Sequence, residues 1–301
     1  MDSGDLAIFE AVARLGGMNR AALELHTVQS NVTARIRLLE EELGTALFRR
    51  HSRGVALTQA GHRLLPYTSK IGHLLAEAQK AVRDDGTPKG SLTIGSLETT
   101  AALRLSSHLS AFVADYPEVD LVLRTGTTAE MVRDVLEYRL EGAFVCGPVD
   151  HTDLDQRLAF HEELAILTAP TVRTLDELFA NKPCRIVVLR AGCSYRRRLE
   201  DILARRGIVD LRLLEFGTIE AILGCAAAGL GVTLLPCSLI STVTRNHQVV
   251  AHELPAADAT ADTIFIHRRD VFVSSALATF LDRVCLPPSV RRRPNSNLQH
   301  R

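Results

Sequence analysis

The stretch Asn19–Leu43, NRAALELHTVQSNVTARIRLLEEEL, decides how the rest of the chain is read. It divides into two helices joined by a tight turn. In the second, Val32, Ile36, Leu39 and Leu43 recur at i, i+4, i+7 and i+11, a single apolar stripe of helical period. Ser30, Asn31, Thr33, Ala34 and Arg37 fall on the opposite face, with Arg35 at the edge of the stripe. Small hydrogen-bonding side chains flanked by arginines suit a surface that enters a DNA major groove, where base edges offer donors and acceptors. Alone, the same pattern fits an ordinary packed helix pair. What surrounds it separates the two readings.

Upstream, Leu6, Phe9 and Ala13 mark a short amphipathic helix closed by Gly16 and Gly17. Asn19 is the expected cap of the next helix and Thr27 of the one that reads DNA, because both side chains accept from free backbone N–H groups. Gly44 stops that helix. Residues Leu47 to Thr58 then read as two short strands around a Ser52-Arg53-Gly54 turn. Three helices and a basic hairpin make a winged helix-turn-helix. Gln29, Asn31, Thr33 and Arg35 are the candidates for base contacts, with Ser30 beside them at the helix mouth. Arg37 and the wing arginines Arg49, Arg50 and Arg53 are candidates for phosphates, which add affinity without sequence information.

His62 to Asp85 reads as a long linker helix, with Leu64, Ile71, Leu74, Leu75 and Ala78 on one side and Pro66 bending or delaying its early turns. It has no sheet of its own to lie on. A second copy of the chain is the economical partner, and the chain's own next domain is the alternative. From Gly90 the pattern changes to Leu92–Gly95 strand, Ala101–Val113 helix, Val119–Arg124 strand, Thr128–Leu136 helix and Gly142–Cys146 strand, hence a parallel sheet flanked by helices. A second set follows: strands at 165–169, 185–189, 211–215 and 232–235, with helices at 196–204 and 219–227. A returning strand near Thr263–His267 and a closing helix, Ser274–Val284, complete it. The tail from Pro287, with Arg291-Arg292-Arg293 and no apolar pattern, is expected to be disordered.

Ligands of open α/β sheets bind beyond the carboxyl ends of the strands, where helix N-termini offer free N–H groups. Four loops take that position: Ser96–Thr100, Thr125–Thr128, Gly192–Tyr195 and Phe216–Thr218. Their expected contacts are Ser96, Thr99, Thr100, Thr127, Thr128, Cys193, Ser194, Tyr195, Phe216 and Thr218. Hydroxyls and glycines there fit a small polar metabolite, a carboxylate or an amino-acid-like molecule. Glu98 would favour an amine on that ligand, and Arg196 or Arg124 could supply a countercharge for its carboxylate.

The chain resembles the LysR-type transcriptional regulators. The resemblance rests on Phe9-Glu10-Ala11-Val12-Ala13, Arg20-Ala21-Ala22, Gln29, Val32-Thr33, Ile36, Leu39-Glu40-Glu41-Glu42-Leu43-Gly44, Leu47-Phe48-Arg49-Arg50 and Leu57-Thr58-Gln59-Ala60-Gly61, with Gly229-Leu230-Gly231-Val232-Thr233-Leu234-Leu235-Pro236 late in the chain. Two positions depart from the family pattern: Val28 stands where a capping Ser is usual, and Ser30 where Pro is usual. The resemblance implies an α/β protein with an α-rich N-terminal domain. Residues 1–61 would form the winged helix-turn-helix, 62–87 a dimerising linker helix, and 88–287 a two-lobed, periplasmic-binding-protein-like effector domain. Lobe I would span about 90–150 and 262–287, lobe II about 155–258, with a basic tail at 288–301. It also implies double-stranded operator DNA as partner, a homo-oligomer (a dimer of dimers, hence a homotetramer), contact with RNA polymerase, and an effector whose binding changes promoter geometry. No cofactor and no catalysis are implied.

Composition is compatible with this. Lys plus Arg equals Asp plus Glu, 35 against 35, so the argument for DNA rests on local placement of arginines. The apolar runs fall short of the roughly 20 residues of a membrane span, and no signal peptide is read, so the expectation is a cytoplasmic protein with no membrane partner. Six cysteines show no CxxC pair and are expected reduced. Three rivals remain on this reading. Cys193 ahead of a helix could be a thiolate nucleophile, or a redox sensor of the same family; no resolving cysteine lies between it and Cys225, and Cys184 lies upstream. Asp150, His151, Asp153, Asp155 and His161 suggest a metal, but match no ligand spacing and are expected to form a solvated crossover loop.

Overall fold

Residues 1–51, 54–176, 183–239 and 249–285 are described by the structure, a computed structural model. The chain divides into two compact units, one ending at Asp85 and the other beginning at Gly86. Arg53 of the wing, the Arg50 side chain and the basic tail lie outside the described residues.

In the first unit, α1 (Ser3–Leu15), α2 (Met18–Glu24) and α3 (Gln29–Leu43) pack Phe9, Val12, Ala21, Ala22, Val32, Ile36 and Leu39 into one core with Leu47 and Phe48. The turn between α2 and α3 closes with His26 at φ 50°, while the N–H groups of His26 and Thr27 donate to Leu23 and Ala22 carbonyls at 3.3 and 2.9 Å. This pair of bonds satisfies carbonyls left over at the helix end. Gly44, at φ 66°, ends α3 as expected. Two capping assignments change. Gly17, not Asn19, precedes α2, which places Asn19 inside the first turn. Val28, not Thr27, is the N-cap of α3, and the Thr27 hydroxyl instead accepts from Asn31 Nδ2 at 3.0 Å.

The wing is β1 (Phe48–His51) paired antiparallel with β2 (Gly54–Leu57). Glu40 sets its angle: its Oε1 accepts from the N–H groups of Leu47 and Phe48 at 2.7 and 3.0 Å. The linker helix α4 begins earlier than its apolar pattern suggests, at Gln59, and runs to Arg83 through Pro66. Thr58 explains the early start, accepting from Gly61 N–H at 3.1 Å while donating to the Ala46 carbonyl at 2.7 Å. Leu64 and Leu65 pack on the winged core; further along, Tyr67, Ile71, Leu74, Leu75 and Val82 are exposed.

The second unit is built on β3 (Gly90–Leu97), β4 (Val119–Gly126) and β5 (Gly142–Cys146), parallel in the order β5-β3-β4. All five β5 residues are buried, the mark of a strand covered on both faces. Between β3 and β4 the helix is not uniform. A turn of α5 (Glu98–Thr100) leads through a π-helical segment, Ala101–Leu105, into α6 (Ser106–Asp115). Helix α7 (Thr128–Leu136) connects β4 to β5.

Of the stretch expected as a crossover loop, Asp150, His151 and Asp153 precede any strand, but from Leu154 it is the first half of a fifteen-residue strand, β6 (Leu154–Thr168). Asp155 and His161 lie on it and pair with Arg269 at 2.8 Å and Asp262 at 2.7 Å. Charged residues on an exposed strand face disguised it. Its first half pairs with the returning strand β11 (Thr260–Arg268); its second half pairs with β9 (Thr233–Pro236) and β10 (Val250–His252). One strand therefore belongs to both lobes. The second lobe adds β7 (Cys184–Leu189), α8 (Ser194–Arg205), β8 (Leu211–Phe216) and α9 (Ile219–Ala227), with β7 and β8 parallel. Helix α10 (Ser275–Val284) closes the first lobe, setting Phe280 edge-on to Phe112 at 5.2 Å. No helix among the described residues is long and apolar enough to cross a membrane.

Candidate functional site

Two surfaces carry the chemistry. The first is the exposed side of α3. Gln29, Ser30, Asn31 and Arg37 are exposed there, while Val32, Ile36 and Leu39 anchor the helix from behind. Gln29 Nε2 donates to Thr33 Oγ1 at 3.0 Å, so these two side chains present a joined polar surface. Arg37 pairs with Glu41 at 2.9 Å one turn on. Arg35 is placed differently from the rest. Its guanidinium reaches Asp2 at 2.9 Å and Asp5 at 2.5 Å, the two acids of the capping box that opens α1. It therefore ties α3 to α1, and in this conformation is committed to that contact. Arg49 is exposed on β1.

The second surface is a cleft between the two lobes of the effector unit, with about 420 Å³ of open space. It is lined by Leu97, Glu98, Thr99, Gly126, Thr127, Leu189, Arg190, Cys193, Ser194, Tyr195 and Gly217. Thr99, Thr127, Cys193, Ser194 and Tyr195 are thus brought together as the loop positions suggest. Ser96, Thr100, Thr128, Phe216 and Thr218 are not among the lining residues. Ser96 is fully buried and donates to the Leu97 carbonyl at 3.0 Å, because β3 continues to Leu97 and no loop intervenes before the helix. Thr218 caps α9, accepting from Ala221 N–H at 3.3 Å, and Phe216 packs on the second-lobe core.

Two hydroxyls that reach the cleft, those of Thr127 and Ser194, are already engaged. Thr127 and Glu130 form a capping box, with Thr127 N–H donating to Glu130 Oε2 at 2.8 Å. That bond holds the Glu130 carboxyl below its ordinary pKa. Ser194 Oγ donates to Thr128 Oγ1 at 2.8 Å, a bond between lobes. Thr99 lies beside the phenol of Tyr195, whose pKa burial drives upward. Arg190, missing from the sequence-level set although it follows β7 at the carboxyl end, reaches Glu130 at 3.1 Å and adds a second link between lobes. Gly192 makes the approach possible. At φ 93° it adopts a backbone that favours glycine, and a Cβ there would stand 2.9 Å from Thr127 Oγ1.

What the cleft offers a ligand is therefore not a ring of hydroxyls. No side-chain hydrogen bond caps the first turn of α8, whose Tyr195 and Arg196 N–H groups lie beside the sulfur of Cys193. A thiol is a weak acceptor, so an anion would displace it readily. The carboxylate of Glu98 has no hydrogen-bond or ion-pair partner among the described residues. Of the proposed countercharges, Arg196 is taken by Glu200 and Glu215 at 3.0 and 2.8 Å, and Arg124 is exposed on β4 away from the lining. Burial raises the pKa of Cys193, against the pull of those N–H groups, and pushes that of Cys146 up to about 11. A protonated thiol is a weaker nucleophile than a thiolate, so burial works against reactivity at Cys193.

Comparison with known proteins gives the class. Residues 3–62 match the model of bacterial regulatory helix-turn-helix proteins of the lysR family, and residues 85–284 match the LysR substrate binding domain. The transcriptional regulator YofA of Bacillus velezensis is 43% identical over 97% of this chain and 100% of its own length. GltR of Bacillus subtilis is 41% identical over 92% of this chain and 93% of its own length. Among solved structures, full-length CbnR in complex with its target DNA superposes with a TM-score of 0.67 at 23% identity, covering 94% of this chain and 99% of that one. The chain belongs to the LysR family: it is a DNA-binding transcriptional regulator with an effector-binding domain.

Proposed function

We propose that the effector is a compact molecule carrying both a carboxylate and an ammonium group, and that it acts on an oligomer bound to operator DNA. The observation that carries this reading is the unpartnered carboxylate of Glu98 lining the same cleft as the uncapped start of α8. A carboxylate favours the amide-rich end of a helix, where the dipole is positive. An ammonium group would answer Glu98, a charge-assisted bond stronger than a neutral one. The ligand is bound and released unchanged; no cofactor and no catalytic step enter. Joining the lobes, the ligand would alter the arrangement of the oligomer and hence the bend of the promoter. RNA polymerase would be the partner that reads this change.

Thermal denaturation of the full chain tests the ligand class, because a ligand of the native state raises the midpoint. The probes are L-alanine, L-serine, L-aspartate and L-glutamate, each beside the 2-hydroxy acid of the same skeleton. At least one amino acid should raise the midpoint, with its hydroxy acid about 10- to 100-fold weaker, as expected for loss of a hydrogen bond to a charged group. Glu98→Gln should level that difference. A hydroxy acid that matches or exceeds its amino acid contradicts the assignment.

A further inference from the structure

Among the described residues, five helices open with a side-chain cap, namely Asp2 for α1, Thr58 for α4, Thr127 for α7, Thr218 for α9 and Ser274 for α10, while α2 and α8 open without one. The helix that reads DNA also lacks one. Its N-cap is Val28, in extended backbone at φ −95° and ψ 148°, with no side-chain hydrogen bond to the first turn. Valine is among the poorest residues for this position, where Ser, Thr, Asp and Asn are preferred. Thr27, the adjacent residue that could have served, gives its hydroxyl to Asn31 instead. Nor is Val28 recruited to the core: it is 64% exposed, between the packed face of α3 and the polar pair Gln29 and Ser30. A sequence that breaks a local rule without gaining burial does so most often where function asks for that side chain.

The first residues of a recognition helix lie against base edges. Among the groups the major groove displays, the one apolar feature is the C5 methyl of thymine. We propose that Val28 is a specificity-determining residue, its isopropyl group packing on a thymine methyl at the entry of α3 in each half-site. Gln29 and Ser30 then supply hydrogen bonds to neighbouring bases while Val28 supplies the apolar contact. Serine at this position would cap the helix but would leave the methyl without a partner.

Deoxyuridine, which is thymine without the methyl, isolates the contact. A duplex selected by the full chain from a randomised library is remade with deoxyuridine at each thymine in turn, and binding is followed by fluorescence anisotropy. One thymine per half-site should show a loss of about fourfold for the parent protein, the value of one buried methyl-sized group. Val28→Ser should bind the thymine and deoxyuridine duplexes alike at that position. Its thermal midpoint should be no lower than the parent's, since a cap is gained and no packing lost. Identical deoxyuridine profiles for parent and variant would overturn the proposal, as would a parent insensitive at every thymine. A lower midpoint for Val28→Ser would also count against it, by showing that the side chain packs rather than reads.

Discussion

Leu74→Asp should weaken operator binding by about 10²–10⁴-fold, the factor by which linked sites exceed single ones. Leu74 is 43% exposed on α4, and with Tyr67, Ile71, Leu75 and Val82 it forms a stripe at helical spacing along one side of the helix. An apolar stripe of that length on a helix has the period of a helix–helix seam. We propose that a second copy of α4 covers it, and that the pair then assembles as a dimer of dimers. A charge in the seam would stand desolvated and unpaired, so the dimer should part. Paired wings would address half-sites about one DNA turn, roughly 34–36 Å, apart. The variant leaves every α3 side chain in place, and its circular dichroism should match the parent's. Sedimentation showing an intact oligomer, or a wild-type affinity for the two-half-site duplex, would place the interface elsewhere.

Arg104→Leu is the substitution expected to cost most in stability, about 3 kcal/mol. Arg104 sits in the π-helical segment after β3 and meets Glu162 through two bonds, Nε and Nη2 to the two carboxylate oxygens, each 3.0 Å. Glu162 is only 3% exposed, on β6 near the point where that strand leaves one lobe for the other. Removing the arginine leaves an uncompensated carboxylate in the interior. Replacing both residues by Leu removes the charge as well as its partner, so the double variant should regain most of the loss. Urea unfolding of the single and double variants decides it. A cost under about 1 kcal/mol for the single change would mean that water or a shift of β6 relieves Glu162.

Much of the architecture could be read from periodicity. The bounds of α7, β5 and α9 coincide with the apolar pattern, because the two helices each bury one face behind a threonine cap and β5 is buried throughout. Strand β6 was hidden because its first half exposes Asp155, Gln156, Arg157 and His161, which breaks the apolar alternation. The carboxyl ends of the strands do border a cleft lined by Thr99, Thr127, Cys193, Ser194 and Tyr195, but the hydrogen bonds already made there were not legible. Hydroxyls at strand–helix junctions look like ligand donors in a sequence. Only the fold shows that Thr127 and Ser194 spend them on Glu130 and Thr128. The ion pairs of Arg35 could not be read either: its partners Asp2 and Asp5 are some thirty residues away, beyond any local pattern.

Coupling between cleft and DNA is measured most directly by titrating the full chain onto its selected operator duplex, with and without the amino acid that raises its thermal midpoint most. Operator affinity or the extent of the footprint should change on adding that ligand. Glu98→Gln should bind the same duplex like the parent without ligand, and should lose the response. A ligand that stabilises the parent protein through Glu98 and leaves both affinity and footprint unaltered would contradict the coupling of this cleft to DNA binding.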